Sequence, residues 1–186
     1  MSERKSEVGS RKSLIHIYTG DGKGKTTAAL GLALRAMGAG KSVAIIQFMK
    51  QGNYSEHQAI KKYKLPIEIH SYGLGYYKIM GDNKPKSVHQ KAAREALNRA
   101  GELIQKGKHD LIILDEINVA IGFGLININE VIDILITNNS IRCTDIILTG
   151  RRAHPKLKKL ADLITEMKKE KHYFDKGLKA RKGIEY

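Results

Sequence analysis

The sequence predicts an α/β fold built on a mainly parallel sheet of about six strands. Three observations predict it. Short, fully apolar runs alternate with helical segments along the chain; a glycine-rich stretch joins the first such run to a helix; and a later apolar run ends in two acidic residues. Strands that are apolar on both faces belong to sheets covered by helices on both sides, and such sheets are mainly parallel.

Residues 1–12 are rich in Ser, Lys, Arg and Glu and read as a flexible arm ahead of one domain spanning residues 13–186. Residues 14–18 are a short buried strand. Residues 26–37 are apolar almost all round, which suits a helix buried against a sheet, and Gly38 and Gly40 stop it. Residues 43–49 form the second strand, 56–63 a short helix and 67–70 the third strand. Residues 73–85 make a loop long enough to suggest function, with Tyr76 and Tyr77 as adjacent exposed aromatics. Ser87 is the expected N-cap of a helix that sets Ala93, Leu97, Ala100 and Ile104 on one face before Gly107 ends it. Residues 111–114 are the fourth strand. Residues 129–137 form a helix with Val131, Ile132, Leu135 and Ile136 as its apolar side. Residues 146–148 are the fifth strand and 163–167 the sixth. In such a sheet, ligands bind at the carboxyl ends of the strands.

Composition narrows the function. The 186 residues hold 41% apolar and 28% charged residues, ordinary for a globular chain. The formal charge of +14 fits either a polyanion partner or a solvated basic surface around an anionic small ligand. No basic block is interleaved with aromatics, so nucleic acid is the weaker reading. Cys143 is the only cysteine, which excludes an internal disulfide and a Cys-rich metal site and leaves it as a small buried hydrophobe. No apolar run approaches the length of a membrane span, and the N-terminus lacks a signal-peptide core, so the expected location is the cytoplasm.

The strongest motif is Thr19-Gly20-Asp21-Gly22-Lys23-Gly24-Lys25-Thr26-Thr27, set between a strand and a helix. Its glycines let backbone N–H groups turn inward around phosphate oxygens, and the helix N-terminus adds partial positive charge. Lys25 supplies a full charge to the outer phosphates and is expected to stand exposed in the loop. Thr26 offers its hydroxyl to Mg²⁺, with Mn²⁺ as an alternative. The segment from Gly20 to Thr27 is thus the triphosphate site of a P-loop protein, although Thr19 occupies the first glycine position of the usual pattern. Asp115 and Glu116 sit where such proteins place a metal-holding carboxylate.

On these residues the chain resembles the bacterial P-loop ATP:corrinoid adenosyltransferases from about Ser13 to Tyr186. The resemblance is carried by TGDGKGKTTAALGLALRA, VAIIQFMK, DLIILDEINVAI and the tail that begins LTGRRAHP. It implies a RecA-like strand order and attack of a reduced corrinoid, cob(I)alamin or a precursor, on the 5′-carbon of ATP. Inorganic triphosphate leaves, stabilised by Lys25, with Glu116 beside it in the catalytic site. It also implies a homodimer, a reduced flavoprotein as electron donor, and aromatic residues that displace the lower cobalt ligand. In this chain Tyr76 stands where the family often has Phe and Lys78 where it often has Trp; Tyr76 and Tyr77 are therefore the expected corrinoid contacts. Arg151 is a candidate phosphate or ribose contact, and Arg152 stands where the family commonly has Gly. A P-loop kinase and a nucleotide-dependent nucleic-acid module are the alternatives.

Overall fold

A computed structural model of the chain describes residues 13–78, 81–137 and 144–186; the expected N-terminal arm and Cys143 lie outside them. Six strands form one sheet: β1 Ile15–Thr19, β2 Val43–Gln47, β3 Ile67–Ser71, β4 Leu111–Asp115, β5 Asp145–Thr149 and β6 Leu163–Glu166. All pairings are parallel, and the order is β3-β2-β4-β5-β1-β6. The helices are α1 Lys25–Gly38, α2 Ser55–Lys62, α3 Lys86–Lys106, α4 Ile117–Gly122, α5 Ile128–Thr137 and α6 Pro155–Leu160.

The apolar runs explain the layering. Successive strand residues point to opposite faces, so each central strand feeds two cores. Val43, Ile45, Leu111, Ile113 and Ile147 pack with Ala29, Ala33 and Ala36 of α1. Ala44, Ile46, Ile112, Leu114, Ile146 and Leu148 pack with residues of α3, α4 and α5 on the other face. The result is a three-layer, P-loop NTPase-like α/β fold, as the sequence predicts. Strand β5 lies between β1 and β4, with Tyr18 opposite Thr149 and Leu114 opposite Leu148. That register carries the glycine-rich loop, Thr149 and Asp115 to the same carboxyl end of the sheet.

Several local expectations need correction. Helix α1 is not buried all round: Leu34 is 63% exposed, because the stripe of Ala29, Ala33 and Ala36, flanked by Leu30, Leu32 and Met37, faces the sheet. Helix α3 begins at Lys86 after Pro85, and no side chain caps it, so Ser87 lies inside the first turn rather than at the N-cap. Pro85 explains the start, since it disfavours helical backbone before it and donates no N–H. In α5, Val131 and Leu135 are buried while Ile136 is 55% exposed. Strand β2 stops at Gln47, where the Phe48 N–H turns to the Asp115 carbonyl at 3.0 Å.

Candidate active site

The site grows from the turn between β1 and α1. Gly24 sits at the N-cap of α1 with φ +118°, a conformation that favours glycine, and no side chain caps the helix. The first N–H groups of α1 are therefore free to meet an anion. Lys25 is not exposed as expected but 7% accessible. The loop curls over it, so that its Nζ donates to the Gly20 carbonyl at 2.8 Å and the Gly22 carbonyl at 2.6 Å. Burial lowers its pKa, and the neighbouring Glu116 opposes that shift. Gly20, Gly22, Gly24, Lys25 and Thr26 form the turn from the carboxyl end of β1 into α1. Asp21, Lys23, Thr27 and Arg151 lie exposed around it. Arg151 Nε stands 3.9 Å from Asp21 Oδ1, both well exposed, and an exposed pair at that distance contributes little energy.

The structure brings Thr26 and Asp115 together as the sequence suggests. Thr26 Oγ1 donates to Asp115 Oδ1 at 2.8 Å, and Thr149 Oγ1 donates to the same oxygen at 2.7 Å. The other oxygen, Oδ2, receives Gln47 Nε2 at 3.2 Å and Lys50 Nζ at 3.1 Å. Asp115 is 1% exposed, and four donors hold its carboxylate fixed. Lys50 also meets Glu56 Oε1 at 3.0 Å. Burial disfavours the Lys50 charge, but Asp115 and Glu56 outweigh burial and raise its pKa. Burial likewise works against the Glu56 carboxylate, and Lys50 overcomes it to hold the group below the ordinary range.

Glu116 follows Asp115 in left-handed backbone (φ 63°) and starts α4. Its N–H donates to Thr149 Oγ1 at 2.9 Å. Burial, then the Asp115 charge, push its pKa up to about 7, against the pull of Lys50, Lys25 and Arg151. Thr26, Asp115 and Glu116 are hard oxygen donors, and among the described residues no group of three or more His, Cys, Asp or Glu side chains gathers to hold a metal. That donor set fits a cation such as Mg²⁺, which needs only one or two carboxylates because water and phosphate complete its shell.

The two tyrosines separate. Tyr77 is 8% exposed rather than displayed, packed 5.1 Å from the His89 ring and edge-on to Phe123 at 5.7 Å. Tyr76 is half-buried against the same core. Burial first, then Glu116 and Asp115, drive its phenol pKa well upward, which sets its hydroxyl in the field of the acidic pair. Arg152 adopts φ +55°, a backbone glycine tolerates better.

Sequence reasoning missed Gln47, Lys50, Glu56 and Thr149 as parts of this site. A signal was present: Gln47 and Thr149 are polar residues closing apolar parallel strands, where ligands bind. Lys50 and Glu56 gave none, because only the fold shows that they meet.

The sequence matches the family described as ATP:corrinoid adenosyltransferase BtuR/CobO/CobP over residues 11–186. It is 31% identical over 185 residues to a corrinoid adenosyltransferase of Escherichia coli K12, covering 98% of this chain and 90% of that protein. It is 34% identical over 177 residues to a corrinoid adenosyltransferase of Sinorhizobium sp, covering 94% and 81%. It is 30% identical over 185 residues to the corrinoid adenosyltransferase CobA of Salmonella typhimurium, covering 98% and 90%. With the phosphate loop meeting the acidic strand end and matches over nearly the whole chain, this protein belongs to the ATP:corrinoid adenosyltransferase family.

Proposed function

We propose that this chain transfers the 5′-deoxyadenosyl group of ATP to the cobalt of a reduced corrinoid, with inorganic triphosphate as the leaving group. The observation that carries the reading is the convergence of Lys25, Thr26, Asp115 and Glu116 at the carboxyl ends of β1 and β4 in a chain of this family. The cobalt is the nucleophile, so the protein needs no general base. Its work is to hold the triphosphate and to stabilise the charge that grows on the departing oxygen.

Lys25 exchanges its two loop carbonyls for phosphate oxygens, and the uncapped N–H groups at the start of α1 complete the cradle. Thr26, Asp115 and Glu116 would hold the divalent cation. Asp115 also orients the Thr26 hydroxyl, which donates to it. A bound Mg²⁺ or Mn²⁺ supplies further positive charge to the leaving triphosphate. Gly20, Gly22 and Gly24 line the cradle, while Asp21, Lys23, Thr27 and Arg151 form its rim. Tyr76 faces the corrinoid, and Tyr77 anchors the loop that carries it. Among the described residues no helix is long and apolar enough to cross a membrane. A cytoplasmic homodimer served by a reduced flavoprotein is the setting we propose.

The test is anaerobic incubation with ATP, Mg²⁺ and chemically prepared cob(I)alamin. The expected result is the absorbance spectrum of a light-sensitive adenosylcorrinoid, absent with Lys25→Met. ATP consumption without a cobalt–carbon product contradicts the proposal.

A further inference from the structure

Lys23 lies within the phosphate loop, yet its ammonium turns away from Lys25 and Thr26 to the C-terminal segment. Its Nζ donates to Glu185 Oε1 at 2.8 Å and to the Tyr173 hydroxyl at 2.9 Å. The Tyr173 hydroxyl in turn donates to Glu185. Arg181 closes the cluster: its backbone N–H reaches Glu185 Oε2 at 2.6 Å and its guanidinium lies 5.0 Å over the Tyr173 ring.

The same segment is tied down at two other places. Upstream, Met167 N–H donates to the Thr19 carbonyl at 2.8 Å, and Gly22 N–H donates to the Met167 carbonyl at 2.7 Å. A Cβ on Gly20 or Gly22 would overlap the backbone of Met167 or Lys168, so the loop and this strand end are packed backbone to backbone. Downstream, the Tyr186 carbonyl accepts from Ser55 Oγ at 2.7 Å, and its ring stands edge-on to Tyr54 at 6.5 Å. Ser55 opens α2, whose next residue, Glu56, holds Lys50 against Asp115. The segment therefore ties the phosphate loop to α2 and, through Glu56 and Lys50, to Asp115.

We propose that residues 173–186 are a strap that fixes the phosphate loop for its polyphosphate ligand, with Glu185 as the positioning residue and Lys23 as its point of attachment. Lys23 then serves binding through the strap and not by touching phosphate. The loop's own geometry depends on it, because its glycines have little intrinsic preference for one conformation. Preorganising the loop lowers the ordering cost that the ligand otherwise meets. The proposal rests on the nucleotide reading of the loop.

Calorimetric titration of the full chain with ATP, and separately with inorganic triphosphate, tests it in wild type, Glu185→Gln, Lys23→Met and the double variant. Lys23 is 37% exposed, and Glu185→Gln keeps the shape of a side chain that is 17% exposed, so unfolding midpoints should stay close to wild type. Each single variant should weaken both ligands about five- to tenfold, and Glu185→Gln should add less than twofold in the Lys23→Met background, the non-additivity of a pair acting as one unit. Unchanged affinities in Glu185→Gln, or additive losses, overturn the strap. Failure of the wild type to bind either ligand overturns the nucleotide reading, and the strap with it.

Discussion

At Lys25 the ammonium has two tasks, since the carbonyls it satisfies without nucleotide belong to the loop that later holds the phosphates. Hydrogen bonds to charged groups are worth about 1.5–3 kcal/mol each, so Lys25→Met should lower kcat/KM by at least about a hundredfold. It should also leave the Gly20 and Gly22 carbonyls without their donor, costing about 1–3 kcal/mol of stability. A thermal melt beside the kinetics checks both; an unchanged melting point would mean that water replaces the ammonium in the loop. Lys50 is the second residue of consequence. It is 7% exposed between Asp115 and Glu56, and removing one partner of a buried ion pair costs about 3–5 kcal/mol. Lys50→Met should therefore shift the urea midpoint strongly, and adding Glu56→Gln should recover part of the loss. The acid side carries its own signature. Glu56 is held below its ordinary value of 4.5 in the fold, so its contribution is present above that pH and fades as pH falls through the lower folded value. That acid-side fading should vanish in Lys50→Met, which a pH series of urea melts would show.

At the scale of elements, the loop of residues 73–85 does two jobs with adjacent residues. Tyr77 is a plug between α3 and the end of α4, and truncating a buried aromatic to Ala costs about 3–5 kcal/mol. Tyr77→Ala should thus lower stability before anything else. Tyr76→Ala should fold normally and bind ATP with wild-type affinity. It should slow adenosylation from cob(II)alamin, where removal of the lower ligand governs reduction, more than from cob(I)alamin, which is already four-coordinate. Equal loss from both starting states contradicts a role for Tyr76 on the corrinoid face. The strands, α1 and the two functional strand ends were legible in sequence because each rests on a local pattern: a wholly apolar run, a glycine turn, an acidic stop. Short α4 and α6 were not, since six residues carry too little periodicity to register. Tyr77 read as exposed because a glycine-rich loop resembles a surface, and only the fold shows Phe123 and His89 waiting for its ring. Lys50 and Glu185 are joined to their partners solely by the topology.

On the scale of the whole molecule, the order β3-β2-β4-β5-β1-β6 sets the chemistry. It separates the phosphate loop from the acidic strand by β5 alone, a gap that Thr26 closes by donating to Asp115, whose same oxygen also accepts from Thr149 of β5. The formal charge of +14 favours the approach of an anionic substrate. The central claim is that the loop holds a leaving group rather than a phosphate to be transferred. Phosphorus NMR of the products formed from ATP and cob(I)alamin tests it most directly. The account predicts intact inorganic triphosphate in one-to-one ratio with adenosylcorrinoid; ADP with phosphate, or AMP with diphosphate, as the product of the corrinoid-dependent reaction would contradict it.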